Sequence, residues 1–306
     1  MECFEANRDR LASLAYRLLG SAADAEDVVQ DAFLRWQAAG RAHIRVPEAW
    51  LTKVVTNLAL DRLRSAAVRR ERAVGDWLPE PLLDGDPMLG PADTVEQRES
   101  VTLAVLLLME RLRPVERAVY VLREAFAYSH AEIAAILDIT ESASQQHAHR
   151  ARRHVAAGRD VGVVDGVSAR RIVEAFVDAA SSGRTERLLA LLTDDATAVT
   201  DAAGLAGRSL RYSVPEQIAA VLRAGLKPTP AKRRLVGGSP SIHAAVVNGS
   251  PTMIAALDGR VVGALILEVR GDKIAGVRGL AAPARLGRLT EQWRRRDHDD
   301  PLIASW

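Results

Sequence analysis

The apolar positions of residues 24–36 recur at intervals of three, four and seven, which predicts a helix with one face turned to a core. That face consists of Val28, Val29, Ala32, Phe33 and Trp36. Ser21 or Asp24 can cap its start. The opposite face carries Glu26, Gln30 and Asp31, with Leu34 also pointing away from the apolar stripe. This face is either an ordinary solvated helix surface or, being acidic and compact, a docking surface for a basic partner.

The same periodicity predicts a helix over residues 5–19 that ends at Gly20, and another from roughly Glu48 to Arg70. A basic loop over residues 41–46 precedes the second of these helices, and Pro47 suits its first turn. Basic residues strongly outnumber acidic ones from 41 to 72, which is the electrostatic footprint of a phosphate backbone. Trp50 lies near the edge of the apolar stripe, where core packing and base contact are equally compatible with the pattern.

Residues 74–94 contain seven glycines and prolines and are predicted to be a linker. Its central part is apolar and stiffened by proline, so we expect it to lie against a surface as a packed irregular segment. The residues concerned are Trp77, Leu78, Pro79, Pro81 and Leu82.

Two short helices follow, joined by a tight turn at residues 138–140. Ser129 and Glu132 have capping-box spacing, and Thr140 can cap a second helix from Glu141 to about Ala156. This arrangement predicts a DNA-binding helix-turn-helix rather than a solvent-exposed helical hairpin. The second helix presents side chains able to bond base edges or phosphates, namely Ser142, Ser144, Gln145, Gln146, His149, Arg150, Arg152 and Arg153. A metal site from His147, His149 and His154 matches no standard zinc spacing.

From residue 168 the pattern changes to helices followed by alternating segments, with Asn248-Gly249 and Gly271-Asp272 as hairpin turns. Strands are predicted at 235–236, 242–247, 252–257, 261–269 and 274–280, and an antiparallel meander after helices indicates an α+β cone. The tail from residue 284 to 306 is partly helical and highly charged, and no role is assigned to it.

Composition limits the compartment and the kinds of partner that this chain can have. The chain has 306 residues, a formal net charge of +2 and one cysteine, Cys3, so an internal disulfide is excluded and a reducing cytoplasm fits. The longest apolar run, residues 101–109, is too short to span a bilayer, and the N-terminus lacks the features of a signal peptide. We therefore expect a cytoplasmic protein with no membrane partner.

The order of amino acids in the first two predicted helices is a more specific signal than their apolar periodicity. Leu18-Leu19-Gly20, followed by the segment from Asp24 to Arg35, resembles region two of an extracytoplasmic-function sigma factor. The resemblance implies that this helix docks on the clamp helices of the largest RNA polymerase subunit. The residues it implicates are Glu26, Asp27, Gln30, Asp31 and Leu34.

The segment 49–65 is similar to the promoter −10 helix of that family, in which the preceding loop, here about 40–46, captures an unstacked base. The implied −10 contacts are Arg41, Arg45, Trp50, Lys53, Asn57, Arg62 and Arg64. The stretch from 112 to 153 resembles sigma region four, the −35 reader and a partner of the polymerase flap, although Gln145-Gln146-His147 departs from the family's more common residues. The implied −35 contacts are the eight side chains given above for the second helix of the helix-turn-helix.

The linker and the order of elements over residues 168–282 resemble sigma factors with a C-terminal SnoaL-like (NTF2-like) domain. In that family a Gly-rich motif after an Asp and an Asn-Pro-Asp-Lys-Leu motif mark this domain. The counterparts here, residues 201–205 and 282–286, are degraded, which predicts altered regulation if those motifs mediate contact with region two.

We therefore predict a multidomain chain with two all-α sigma domains followed by an α+β cone. The boundaries are 1–73 for the region 2 helical bundle, 74–94 for the linker, 95–159 for region 4 with its helix-turn-helix, 168–283 for the SnoaL-like domain and 284–306 for the charged tail. The predicted function is promoter-specific initiation with core RNA polymerase and promoter DNA as partners and no cofactor, tuned by intramolecular contact of the C-terminal domain with region 2.

Two alternatives stay open. An isomerase-like enzyme or a small-molecule-binding protein could use the pocket of the cone, and the enzyme would need a carboxylate base and a buried hydrogen-bond donor. The available groups are Asp194, Asp195, Asp201, Tyr212, His243 and Asp258. A plain helix-turn-helix repressor leaves the acidic helix and the basic segment unexplained.

Overall fold

The computed structural model describes residues 2–40, 43–70, 78–90, 97, 100–156, 164–204 and 209–306. The chain forms two compact units. The first comprises Met1–Val74, Leu78–Glu80 and Gly85–Asp160, and the second comprises Gly75–Trp77, Pro81–Asp84 and Val161–Trp306. None of the helices in these described ranges is long and apolar enough to cross a membrane.

The described part of the first unit is helical. Its helices are α1 (Glu2–Leu19), α2 (Ala22–Ala38), α3 (Pro47–Arg70), α4 (Leu103–Met109), α5 (Pro114–Glu124), α6 (His130–Leu137) and α7 (Glu141–Val155), with a 3₁₀ turn at Pro87–Leu89. Gly20 ends α1 in the left-handed region at φ 68°, and the Ser21 hydroxyl then caps α2 by accepting from the Asp24 amide. The predicted ends of both helices agree with these boundaries to within a few residues.

Helices α6 and α7 form the predicted helix-turn-helix. The Ser129 hydroxyl accepts from the Glu132 amide and the Glu132 carboxylate accepts from the Ser129 amide, which is the predicted capping box. Asp138 ends α6 in the left-handed region, and the Thr140 hydroxyl caps α7 by accepting from the Ala143 amide. The hydrogen bond between Glu132 and Ser129 also lowers the pKa of Glu132.

Buried polar contacts join the helices before and after the linker within this unit. Arg17 of α1 is completely buried and donates to the Ser13 and Ser100 hydroxyls, and burial lowers its pKa to about 9. Arg10 donates to the Tyr128 hydroxyl, which also lies 3.1 Å from the hydroxyl of Thr52 on α3. The side of α3 that carries Thr52 and Lys53 is therefore covered by the second half of the same unit.

The second unit is an α+β fold, as predicted. Its helices are α8 (Gly166–Ser181), α9 (Thr185–Leu191), α10 (Pro215–Leu226), α11 (Pro230–Val236) and α12 (Pro283–Arg294). Its strands are β1 (Leu192–Thr200), β2 (Leu210–Tyr212), β3 (Ser241–Val247), β4 (Ser250–Leu257), β5 (Arg260–Arg270) and β6 (Lys273–Leu280). The core lies where α8, α9 and α10 pack on one face of the sheet, around Phe176, Ile218 and Leu267.

The strands form one six-stranded sheet in the order β2-β1-β6-β5-β4-β3. Strands β3 to β6 form the predicted antiparallel meander with turns at Asn248-Gly249 and Gly271-Asp272, but β1 joins β6 in parallel, so the sheet is mixed. The predicted strand at Leu235-Val236 is wrong, because Thr229 caps a helix that begins at Pro230 and includes both residues.

The edge strand β3 is paired along its free side by two segments outside the meander. The Asp84 amide donates to the Val246 carbonyl and the Asn248 amide donates to the Leu82 carbonyl, so part of the linker adds to the edge. Near the other end, the Ile242 amide donates to the Ile303 carbonyl. Residues 284–306, treated from sequence as a charged tail, thus belong to this unit through α12 and through pairing with β3.

A buried ion pair links β5 and β6. Arg278 donates two hydrogen bonds to the Glu268 carboxylate, at 2.9 and 2.6 Å, and both side chains are buried. Burial raises the pKa of Glu268, and the charge of Arg278 acts in the opposite direction. Gly276 leaves room for this pair, because a Cβ there would lie 2.0 Å from the Glu268 carboxylate.

Candidate nucleic-acid and protein interfaces

The outward face of α2 is acidic and includes one apolar residue one turn beyond its acidic part. Glu26, Asp27, Gln30 and Asp31 are exposed, and Leu34 is 56% exposed although it is a large apolar residue. The opposite face, including Val28, Val29 and Trp36, is buried as the periodicity predicts. The face suits a partner with basic and apolar groups.

Two side chains from other segments fix α2 in place. The Glu80 carboxylate accepts from the Ala22 amide at 2.7 Å, which puts a negative charge at the positive end of the helix dipole. The Tyr16 hydroxyl donates to the Glu80 carbonyl and the Glu80 amide donates to the Gly20 carbonyl. Sequence reasoning missed Glu80, although an acid between two prolines in an apolar linker is an available signal.

Arg62 lies on the acidic side of α2 in this structure. Its guanidinium lies 3.0 Å from the Asp24 carboxylate, 3.3 Å from Asp27 and 3.6 Å from Asp31. Three carboxylates of α2 hold the Arg62 side chain in this conformation, so the expected −10 contact of Arg62 stays a prediction and requires these ion pairs to open.

A hollow of about 570 Å³ lies beside the segment that joins α2 to α3, with Arg45, Val46 and Trp50 among its lining residues. Val46 is 60% exposed and Arg45 is exposed. Trp50 is half-buried, and its ring packs on that of Trp36 with the centroids 5.6 Å apart. Trp50 thus belongs both to the core and to the wall of the hollow. Arg41 lies outside the described residues.

The remaining predicted −10 residues of α3 have different surroundings. Lys53 forms an ion pair with Asp138 at 2.6 Å and donates to the Ala135 carbonyl at 3.0 Å. Arg64 is exposed and lies 3.2 Å from Asp61, while Asn57 is half-buried. Lys53 is therefore engaged by the helix-turn-helix, whereas Arg64 is on the surface.

Helix α7 presents a polar face to solvent. Gln145, Gln146, His149, Arg150, Arg152 and Arg153 are exposed, as is Ser142 near the start of the helix. Ser144 is an exception: it is completely buried and its hydroxyl lies 2.9 Å from Nδ1 of His130. This side chain packs α7 against α6, so the predicted contact of Ser144 with a base edge stays a prediction and requires the side chain to leave this position.

Two arginines of α7 have acidic partners in α5. Arg152 lies 2.8 Å from Glu124, and Arg150 lies 3.8 Å from Glu116, which also faces His147. Arg153 has no ion-pair partner within the described ranges. In those ranges no group of three His, Cys, Asp or Glu residues is arranged to hold a metal ion.

The predicted linker contacts divide between the two units. Leu78 and Pro79 are buried in the segment assigned to the first unit, and Pro81 and Leu82 are buried in the segment assigned to the second. The Leu82 amide donates to the Asn248 side-chain oxygen at 2.8 Å, in addition to the main-chain bond described above. Trp77 lies outside the described residues.

The six groups considered for an enzyme do not converge. Of these, Tyr212 alone is among the residues that line the large cavity of the second unit. Asp195 forms an ion pair with Arg270 at 2.9 Å, and the resulting hydrogen bonds lower its pKa. Asp194 and Asp258 are exposed, and the His243 side chain packs by Trp293. This geometry gives no support to an acid–base pair.

Asp201 joins the two degraded motifs. Its carboxylate accepts from the amides of Ala203, Ala281 and Ala282 at 2.9–3.0 Å. Ala202 and Ala203 both have positive φ, at 47° and 57°, which is where glycine is favoured. Two alanines therefore adopt a left-handed backbone conformation here, while the Asp201 carboxylate connects the two segments.

Comparison with known proteins agrees with these features. Family models match sigma-70 region 2 over residues 3–69 and sigma-70 region 4 over residues 102–155. The ECF RNA polymerase sigma factor SigJ of Mycobacterium tuberculosis (strain H37Rv) is 42% identical over 209 residues, which is 68% of this chain and 67% of that protein. A probable ECF RNA polymerase sigma factor, SigI, of the same species is 32% identical over 291 residues, 94% of each chain.

The similarity extends to a solved structure. The crystal structure of the M. tuberculosis extracytoplasmic function sigma factor SigJ matches with a TM-score of 0.69 and 31% identity, covering 94% of this chain and 98% of that chain. Similarity therefore covers both units, including the C-terminal α+β fold, which is SnoaL-like in that relative.

Proposed function

Because this chain belongs to the extracytoplasmic-function RNA polymerase sigma factors, it is an alternative sigma factor that directs promoter-specific transcription, and we propose how its surfaces divide that work. Members of this family bind core RNA polymerase and promoter DNA and are not enzymes. The proposal places the protein in the cytoplasm with core polymerase.

The outward face of α2 is proposed to dock on the clamp helices of the largest polymerase subunit. The observation that carries this proposal is the exposure of Leu34 among Glu26, Asp27, Gln30 and Asp31. An exposed apolar residue framed by charges supplies both burial energy and orientation at an interface.

Promoter DNA is proposed to meet two further surfaces. The hollow at Trp50 would receive an unstacked −10 base, with Arg45 beside it and Asn57 and Arg64 along α3. The exposed face of α7, centred on Gln145 and His149, would read the −35 duplex in the major groove, with the polymerase flap placing region 4.

The C-terminal unit is proposed to tune initiation by holding the linker and so acting on region 2. Support comes from the pairing of Leu82 and Asp84 with the β3 edge and from Glu80, which caps α2 only two residues earlier. Because these contacts lie so close together in the chain, a change in the pairing of the linker with β3 would shift Glu80 and alter the capping of α2.

Run-off transcription with purified core polymerase tests the proposal, using a template with the promoter upstream of this protein's own gene. We expect a specific start that is lost, together with core binding, in a Gln30→Ala/Asp31→Ala variant. A matched Asp9→Ala/Gln217→Ala variant removes the same side chains from exposed positions outside the face and should keep the start. An unchanged start and core affinity in the first variant would refute the assignment of the docking face.

Linker control is tested at Asn248, which has φ 49°. Asn248→Gly keeps this backbone conformation but removes the acceptor of the buried Leu82 amide, a loss of about 1–3 kcal/mol. Amide exchange at residues 82–84 should then accelerate by about 5- to 150-fold, with altered promoter activity. Asp258→Gly, at an exposed position with φ 50° in the turn between β4 and β5, makes a comparable exchange away from Leu82 and serves as the control. Equal exchange and equal transcription in the two variants would contradict the proposal.

A further inference from the structure

The second unit contains a cavity of about 820 Å³ between one face of the sheet and helices α10, α11 and α12. This volume is within the range of small-molecule sites. Most of its lining is apolar, from residues such as Leu222, Met253, Leu265 and Val277. None of the surfaces assigned above to polymerase, DNA or the linker uses this cavity.

The sheet leaves this space open because adjacent strands place very small residues on the same face. Gly263 pairs with Ala255, and Gly279 and Ala198 also line the cavity. A Cβ at Gly263 would meet only ordinary contacts, with the Leu280 carbonyl at 3.8 Å and the Ala255 Cβ at 3.9 Å. A larger side chain at Gly263 would therefore enter the cavity without striking the backbone.

Apolar side chains also remain exposed where the cavity opens. Val221 and Leu235 line it and are 38% and 61% exposed, respectively. The Tyr212 hydroxyl, on the cavity wall, has no hydrogen-bond partner among the residues that the structure describes. A ligand that covered these groups would remove apolar surface from water and supply one hydrogen bond.

The charged lining residues are predominantly basic. Lys232, Arg260 and Arg294 line the cavity against one acid, Glu291. Their donors are directed at backbone carbonyls: Lys232 bonds those of Ala224, Gly225 and Lys227, Arg260 that of Val236, and Arg294 that of Gly259. In the described ranges none of the three has a carboxylate partner. Burial lowers the pKa of Lys232, as expected for a partly desolvated ammonium.

We propose that this cavity binds an amphiphilic carboxylic acid, with its aliphatic or ring-bearing skeleton against the small-residue floor and its carboxylate near Lys232, Arg260 and Arg294. The apolar lining favours the skeleton, and cations without acidic partners favour an anion over a neutral head group. The proposal concerns binding to the second unit and does not depend on the assignment of the polymerase or promoter surfaces.

The experiment uses the full-length chain and cis-parinaric acid, a fatty acid that is itself fluorescent. We expect saturable binding of one probe per chain. Competition by palmitate and by hexadecanol, which share a chain length, separates the charge from the apolar skeleton. Palmitate should displace the probe at a concentration at least tenfold lower than hexadecanol does. A tenfold difference is about the effect of one charge-assisted contact.

Variants test each part of the site. Gly263→Leu should weaken probe binding at least tenfold, whereas Gly166→Leu, the same exchange at an exposed position with no atom within 4 Å of a Cβ, should not change it. Arg260→Gln/Arg294→Gln should weaken palmitate and leave hexadecanol unchanged. This variant leaves the floor intact, so it remains informative if circular dichroism shows that Gly263→Leu disturbs the fold. Unchanged binding in both cavity variants, or equal competition by palmitate and hexadecanol, would overturn the proposal.

Discussion

The contact between Lys53 and Asp138 gives a direct test of whether region 4 covers a promoter-binding residue in the free protein. Lys53, an expected −10 contact, pairs with Asp138 at 2.6 Å and also donates to the Ala135 carbonyl. DNA binding by Lys53 therefore requires this pair to break. Asp138→Asn removes the charge while keeping a residue that tolerates the left-handed turn at φ 54°.

The expected magnitude is small, because both side chains are partly exposed, at 39% for Lys53 and 73% for Asp138. Exposed ion pairs contribute about 0.2–1 kcal/mol. Releasing Lys53 should therefore raise the affinity of the free chain for a single-stranded −10 oligonucleotide by about 1.4- to 5-fold. The gain should shrink at high salt, because screening weakens the pair in the parent protein.

Fluorescence anisotropy with a labelled non-template −10 strand measures this effect. Glu141→Gln removes one exposed negative charge from the same helix-turn-helix without contacting Lys53, so it reports the general effect of charge. In a Lys53→Ala background, Asp138→Asn should add nothing beyond that control. The same gain with and without Lys53 would refute the reasoning, as would no gain at all.

Three further predictions concern the second unit, each measured as the free energy of unfolding from hydrogen exchange of its sheet. Ala203→Gly should stabilise it by about 0.5–1 kcal/mol, since φ is 57° there, and a loss of stability would show that the turn carries no strain. Glu268→Gln should cost about 3–5 kcal/mol by leaving buried Arg278 unpaired, whereas Glu268→Leu with Arg278→Met should cost far less, and equal costs would argue against this account. Burial lowers the pKa of His243, so the native state binds its proton less readily than the unfolded chain. Stability should fall as pH drops through the unfolded value near 6.5, and His243→Gln should reduce this slope; an identical slope in the variant would assign it to other groups.

Features that depend on neighbours within one turn of chain were predictable from sequence. The capping box at Ser129 and Glu132 and the helix end at Gly20 formed as expected, because their hydrogen bonds and backbone angles are local. The meander β3 to β6 was predictable for the same reason, since its turns at Asn248 and Gly271 connect strands that are adjacent in sequence.

Features that depend on distant segments were not predictable in this way. Periodicity assigns a residue to one face of its own helix but does not tell which element covers that face. Thr52 and Thr56 are buried because α5 and α6 pack on the side of α3 that the single apolar stripe left polar. Ser144 is likewise buried because α6 covers that side of α7. The parallel pairing of β1 with β6 joins two strands that are separated in sequence by most of the second unit.

Arg62 shows how this limit bears on function. Its place off the apolar stripe of α3 is compatible with solvent, DNA or the neighbouring helix, and only the packing angle of α2 on α3 brings it to Asp24, Asp27 and Asp31. The acidic face proposed to meet polymerase is thereby partly neutralised by a side chain proposed from sequence to meet DNA. A basic partner that engages Asp27 and Asp31 competes for the same carboxylate oxygens, and each oxygen it takes weakens the hold on Arg62. If polymerase docks on this face as proposed, we expect docking to release Arg62 from these two carboxylates, so that contact of Arg62 with promoter phosphate would follow assembly with core enzyme.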